Sequence, residues 1–254
     1  FEADISRLLG YYRDQGYFET EIDTLLDRTE PGKVRIRLQI QEGLPRLVSS
    51  VAIEGLPSSV LSDSLDLIRR LKTRPGFPIT RERLEWDGRQ IGAHLQDRGY
   101  AFAELDTLFR LGEDIYLGAI VFRVGSGVQC DVRSIFIVGN REVSEGVIRR
   151  GITFREGMAY SREALRESQR QLYRSGIFRS VVVGVPDTAS KTSPVDVAIT
   201  VSERPSRRIR VGGGFDTEEK FKGSLEWTHR NFLGGARQFQ VASTVSSLNR
   251  RAQV

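Results

Sequence analysis

Hydrophobic positions along the chain follow two periods, and the two alternate in blocks. Val34, Ile36, Leu38 and Ile40 alternate with Arg35, Arg37 and Gln39, and Val195, Val197, Ile199 and Val201 alternate with Asp196, Ala198 and Thr200. A period of two marks strands with one wet face. Between such blocks the spacing lengthens to three and four. Leu61, Leu65, Ile68 and Leu71 predict one helix with these residues on its buried face; Leu84, Ile91 and Leu95 predict a second, and Leu165 and Leu172 its counterpart further on. Thr80 and Ser161 stand where each second helix needs an N-cap oxygen. Gly16, Gly99 and Gly176 each follow a helical stretch and precede a strand-like run. A glycine there closes the helix in a left-handed conformation without a Cβ penalty.

These markers recur in one order. The closing glycines are 83 and 77 residues apart, Val51–Gly55 matches Ile135–Gly139 at a distance of 84, and Gly76–Thr80 matches Gly157–Ser161 at 81. The repeat defines a β-α-α-β-β unit of about 80 residues. The expected fold class is α+β: tandem β-α-α-β-β domains leading into antiparallel strands. The chain is expected to hold the second half of one unit over residues 1–43, full units over 44–127 and 128–205, and a different segment over 206–254. Because a helix pattern begins at Phe1 with no leading strand, the start reads as the middle of a longer protein. Within each unit the strand after the closing glycine (18–26, 101–109, 178–185) should lie at the sheet edge, with the final strand central. Beyond residue 205 helical periodicity stops. A strand is expected at Arg208–Phe215, a ten-residue alternating strand at 221–230, a turn over Asn231–Ala236 and a weaker strand at 237–247. Such lengths suit the ~9–11 residues of a tilted membrane strand, with Trp227 and Phe232 as girdle aromatics. The pattern alone fits an antiparallel soluble hairpin equally well.

Composition narrows the chemistry. The 254 residues are 39% hydrophobic and 28% charged, which is the profile of an ordered globular chain. The net charge of +5 conceals an asymmetry: residues 1–127 carry 17 basic and 20 acidic side chains, residues 128–254 carry 21 and 13. The single cysteine, Cys130, excludes an internal disulfide framework and is read as a small buried residue. His94 and His229 are too far apart to suggest a metal cluster; the first is read as structural or solvated, the second as a girdle residue. No apolar run approaches the ~18 residues of a membrane helix. Gly212-Gly213-Gly214 has neither the spacing nor the following Lys-Ser/Thr of a phosphate loop. Carboxylate pairs such as Glu218-Glu219 read as turn charges, and no nucleophile, base and orienter occur together. No enzyme activity, no cofactor and no metal are expected. Arg149, Arg150, Arg155, Arg162, Arg166, Arg170 and Arg174 could form a basic face. A solvated helix face is the first reading, a membrane-surface role the second. Nucleic acid comes last, because no aromatic stacking platform accompanies the charges, so no nucleic-acid partner is expected.

The repeat units, each ending a helix in Gly-Tyr or Gly-Ile before two strands, resemble POTRA (polypeptide-transport-associated) domains. Ser202-Glu203-Arg204-Pro205 running into Arg208–Phe215 resembles the junction between such domains and an outer-membrane barrel. Asn231-Phe232-Leu233-Gly234-Gly235 is similar to that barrel's first periplasmic turn. The chain thus resembles the BamA/TamA group of outer-membrane assembly proteins. The middle unit departs from the pattern by ending Val124-Gly125-Ser126-Gly127, without the acidic residue seen at Glu42 and Glu203. The resemblance implies periplasmic POTRA domains joined to a β-barrel in the outer membrane of a Gram-negative-type bacterium. Its partners would be unfolded outer-membrane or secreted clients, periplasmic accessory proteins or lipoproteins, and outer-membrane lipid. The alternatives are a dedicated two-partner secretion pore and a soluble POTRA-type scaffold without a barrel. Open sheet edges can accept an extended client by strand addition; the edge candidates are Ala103, Leu105 and Thr107 in the middle unit and Val181 and Val183 in the last. The resemblance further implies a weak barrel seam at Arg210, Val211, Gly212, Gly213 and Gly214, with Arg204, Arg207 and Arg208 at the membrane surface.

Overall fold

Each full repeat folds into a three-stranded sheet covered by helices, with glycine at its corners. The computed structural model describes residues 1–30, 33–186, 191–216, 220–232, 237–246 and 250–253. The chain divides into two units, Phe1–Gly127 and Val128–Val254.

The first unit opens with helix α1 (Glu2–Asp14) and an antiparallel hairpin of β1 (Glu21–Glu30) and β2 (Lys33–Gln41). Ile36 and Leu26 face each other across this hairpin, and both stay exposed, as do Val34 and Leu38. The repeat proper follows as β3 (Leu47–Glu54), short helices α2 (Ser58–Leu61) and α3 (Ser64–Arg70), α4 (Arg81–Gln96), β4 (Glu104–Leu111) and β5 (Leu117–Gly125). The sheet order is β3-β5-β4, with β5 parallel to β3 and antiparallel to β4. The final strand is thus central and the strand after the closing glycine lies at the edge. Val48, Leu71, Ile91, Leu95, Ile120 and Phe122 form the centre of the core.

The first helix of this unit departs from expectation. The chain breaks between α2 and α3, so the stripe turns, and Val60, Leu67 and Leu71 are buried while Leu61 and Leu65 face solvent. The second helix matches its pattern: the Thr80 hydroxyl accepts the Arg83 N–H, Ile91 and Leu95 are buried, and Gly99 takes a φ of 95°.

In the second unit β6 (Val132–Val138), α5 (Glu145–Arg150), α6 (Arg162–Arg174), β7 (Phe178–Gly184) and β8 (Val195–Glu203) repeat the arrangement, with sheet order β6-β8-β7. Val195, Val197, Ile199 and Val201, alternating along β8, are all buried, as the period of two predicts. A second sheet follows: β9 (Arg207–Asp216), β10 (Lys220–Phe232), β11 (Arg237–Ser246) and β12 (Arg250–Gln253), antiparallel in the order β12-β11-β10-β9. The expected turn at residues 233–236, the Glu218-Glu219 pair and the side chain of Phe232 lie outside the described residues.

Candidate functional site

A three-stranded sheet has two edges, and the repeat closes one of them itself. Along β3, Val48 N–H donates to Phe77 O at 2.9 Å, Gly76 N–H to Val48 O at 2.8 Å and Ile79 N–H to Arg46 O at 2.9 Å. In the second unit the same cover is laid on β6, where Val132 N–H donates to Met158 O, Gly157 N–H to Val132 O and Tyr160 N–H to Cys130 O. The repeated Gly76–Ile79 and Gly157–Tyr160 segments are therefore edge guards. Gly76 and Gly157 take φ values of 83° and 81°, a turn that favours glycine. The outer sides of β4 and β7 have no such guard among the described residues. On β4, Gly112 N–H donates to the opposing Leu117 O at 3.3 Å. With the register Leu111↔Gly118 and Leu105↔Val124, alternation of hydrogen-bonded and open pairs turns the backbone groups of Leu105, Thr107 and Phe109 away from β5.

Beside this free edge lies a groove of about 770 Å³ between α4 and β4. Leu84, Phe18, Ala103, Leu105 and Thr107 line it, with Arg13, Asp14, Arg81, Glu85 and Arg89 adding charge. Gly88 and Gly92, one helical turn apart on α4, also line it. A glycine inside a helix costs about 1 kcal/mol relative to alanine, so a pair on one face calls for a reason. A Cβ on Gly88 would meet Leu105 Cδ2 at 3.1 Å, while the space beside Gly92 is open. The missing side chains make the notch. The 81-residue offset puts Gln169 and Tyr173 at the corresponding positions of α6. Arg81 Nε donates to Asp14 Oδ1 at 2.7 Å, tying α4 to the end of α1 at the rim.

Of the expected edge residues, Ala103 sits just before β4 and packs partly against the core, Leu105 is half-buried and Thr107 is exposed. In β7, Val181 is buried and Val183 half-buried. Gly88 and Gly92 escaped the sequence reading; their signal is two helix-weakening residues four apart inside a helical pattern. Of the two histidines, His94 Nε2 lies 3.1 Å from Asp63 Oδ2 and ties α4 to the α2–α3 turn. His229 lies on β10, its ring 6.1 Å from that of Trp227. Cys130 is fully buried.

The second sheet has two unlike faces. Register places Ile209 opposite Trp227 and Val241, Val211 opposite Leu225 and Ser243, and Gly213 opposite Gly223 and Val245. The alternate rows join Arg208 with Thr228 and Gln240, Arg210 with Glu226 and Ala242, and Gly212 with Ser224 and Thr244. One face is mostly apolar and open to the surroundings, with Val211 76% exposed; the other is mostly polar. Arg210 donates to Glu226 at 2.9 Å. Gly213 and Gly214 have open space where a Cβ would stand. Of the basic helix face, Arg170 is paired with Glu163 and Glu167.

The family model of the POTRA domain, described as a surface antigen variable number repeat, matches residues 47–124 and 131–204. The outer membrane protein assembly factor BamA of Neisseria meningitidis serogroup B is 24% identical over 220 residues, covering 85% of this chain and 27% of that protein. BamA of Neorickettsia risticii is 22% identical over 247 residues, covering 97% of this chain and 33% of that protein. The chain thus spans between about a quarter and a third of the length of these relatives. Among solved structures, BamA from Haemophilus ducreyi lacking POTRA domains 1–3 is 25% identical with a TM-score of 0.68, covering 79% of this chain and 37% of that one. The BamA POTRA3–5 structure from Haemophilus influenzae is 24% identical with a TM-score of 0.58, covering 80% of each chain. Two sheets of one strand order, each matched by the same family model and together spanning more than half of the sequence, establish that the chain belongs to the POTRA family.

Proposed function

We propose that the chain is the POTRA region and first barrel strands of an outer-membrane protein assembly factor, with its POTRA domains in the periplasm. In this reading residues 1–43 are the second half of a POTRA domain, 44–127 and 128–205 are complete domains, and 206–254 begin the β-barrel. The observation that carries the reading is the notch of Gly88 and Gly92 beside the free edge of β4. An extended client or accessory segment adds to β4 through the outward groups of Leu105, Thr107 and Phe109, and its side chains on one face enter the groove. Main-chain bonds supply affinity with little sequence demand, as handling many unfolded precursors requires. The last domain, with Tyr173 and Gln169 in place of the two glycines, binds such a segment more weakly along Val181 and Val183.

The barrel seam is the second part of the proposal. β9 is the terminal strand of its sheet among the described residues, and its glycines lack side chains to pack against a neighbour. A closing strand therefore pairs weakly along Arg210–Gly214 and opens to client strands.

A labelled ten-residue alternating peptide tests the first part. It is expected to shift the amide signals of Leu105, Thr107 and Phe109. Gly92→Phe should weaken binding at least about tenfold by filling the groove, whereas Gly92→Ala should leave binding intact and raise stability by about 0.5–1 kcal/mol. Equal binding by wild type and Gly92→Phe would remove the groove from the mechanism.

A further inference from the structure

Five arginines converge where the last POTRA domain meets the second sheet. Arg179, Arg204, Arg207, Arg208 and Arg230, together with Pro205, line a cavity of about 500 Å³. Three, Arg204, Arg207 and Arg208, come from the β8–β9 junction. The fold adds two more from distant positions. Arg179 sits where the β7–β8 register shifts between Phe178 and Ser180, and an irregularity of this kind re-aims a side chain out of the ladder. Arg230 follows His229, which pairs with Arg207.

The backbone holds the cluster in place. Arg204 Nε donates to Phe178 O at 2.9 Å and its N–H to Ile177 O at 2.8 Å, while Arg230 N–H donates to Ser206 O at 2.7 Å. Nearby acids are committed elsewhere: Glu203 accepts the backbone N–H groups of Arg141, Glu142 and Val143, and Glu226 accepts from Arg210. Among the described residues no ion pair is formed by any of the five. Five arginines line one cavity with no carboxylate among its lining residues, which suits a polyanion, and the planar fork of arginine suits phosphate oxygens in particular.

Position selects the source of the phosphate. The apolar face of the second sheet starts at Ile209, two residues beyond Arg207, or about 7 Å along a strand. In the proposed barrel the apolar face meets lipid, so the cavity borders the end of that surface, at the level where headgroups lie.

We infer that Arg179, Arg204, Arg207, Arg208 and Arg230 form a binding site for the phosphate of an anionic lipid headgroup, anchoring the last POTRA domain to the periplasmic surface of the outer membrane. The inference rests on the reading of β9–β12 as membrane strands. Bound lipid fixes the junction through which movement of that domain reaches β9.

Native mass spectrometry of the detergent-purified full-length protein tests it, with phosphatidylglycerol and phosphatidylcholine as probes. Wild type should retain phosphatidylglycerol in preference to phosphatidylcholine. The combined variant R204Q/R207Q/R208Q/R230Q should bind phosphatidylglycerol at least about tenfold more weakly, and R207Q or R230Q alone about threefold to fivefold, since each arginine near an anionic surface is worth about a factor of five. The control R162Q/R166Q/R174Q, on α6, should bind as wild type. Equal loss in the control would reduce the effect to net charge, and equal binding by the combined variant would remove the site; either overturns the inference. Displacement of lipid by millimolar inorganic phosphate would overturn the lipid assignment in favour of a free-phosphate site. If wild type retains neither lipid, the membrane-strand reading fails together with the site, whereas equal retention by wild type and variant leaves that reading standing.

Discussion

Gly55 and Gly139 end the first strand of each repeat with φ values of 79° and 90°, and a Cβ on either would run into a backbone oxygen, of Val124 and of Val201. Backbone cannot yield as a side chain can, so strain and contact add. Gly55→Ala or Gly139→Ala should lower stability by at least about 2 kcal/mol in denaturant unfolding, while Gly92→Ala raises it. Glu203 is the other single residue with a structural task. Its carboxylate accepts Arg141 N–H at 2.7 Å and Glu142 and Val143 N–H at 3.0 Å each, closing the loop after β6. Partial burial acts to raise its pKa, but the three backbone donors and the nearby Arg141 charge outweigh this and hold it below the ordinary carboxylate value. A folded-state pKa below the unfolded one means that the contribution is full above the unfolded value and disappears as pH falls through the folded one. Glu203→Gln should therefore cost about 1–2 kcal/mol at neutral pH, and its melting curve should approach that of wild type as the pH is lowered below about 4.5. A difference that stays constant down to acidic pH would show that ionisation of Glu203 is not what closes the loop.

At the scale of elements, the second helix of each repeat carries a polar residue in the middle of its buried face. Asp87 on α4 is fully buried and accepts Lys72 N–H at 2.7 Å and Thr73 N–H at 2.8 Å; 81 residues later Ser168 accepts Thr153 N–H at 2.8 Å. Both fasten the segment between the two helices to the second one. Asp87→Ala leaves the N–H groups of Lys72 and Thr73 unmet and should cost about 2–4 kcal/mol, whereas Ser168→Ala, with one N–H to lose, should cost about 1–2 kcal/mol; calorimetry of the two variants separates these values. The repeat was readable because its markers are conformational: N-caps, left-handed glycines and alternating strands depend on a few adjacent residues. The second helix was readable for the same reason, since Ile91, Leu95, Leu165 and Leu172 keep one stripe over an unbroken length. The first helix was not. Its chain breaks between Leu61 and Ser64, and after a break a stripe of leucines no longer reports one face, so Leu65 ends 67% exposed while Val60 is buried. The edge guard at 76–79, the Gly88–Gly92 notch and the arginine cavity were also hidden, because each depends on backbone or side chains brought together from distant positions.

The whole chain presents two kinds of sheet, and their faces distinguish them. In both repeats one face is sealed by helices, and the alternating strand β8 keeps its three valines and its isoleucine inside. In β9–β12 the alternation continues, yet the apolar row of Ile209, Val211, Leu225 and Val245 stays at least half exposed. Such a surface suits the proposed barrel wall in lipid, and in water it would need a cover. Arginine substitution separates the two environments. At Val211 or Leu225 it puts a charge on the apolar face, at a cost of about 2–4 kcal/mol near the bilayer midplane. At Ser224 on β10 or Thr244 on β11, which share one row of the polar face, it should be nearly neutral. Full-length protein with Leu225→Arg or Val211→Arg should therefore show reduced heat-modifiable migration in gels, the mark of a folded barrel, while Ser224→Arg and Thr244→Arg migrate as wild type. If all four variants fold equally, the exposed row does not face lipid, and β9–β12 form a soluble sheet whose apolar side must be covered by another protein surface.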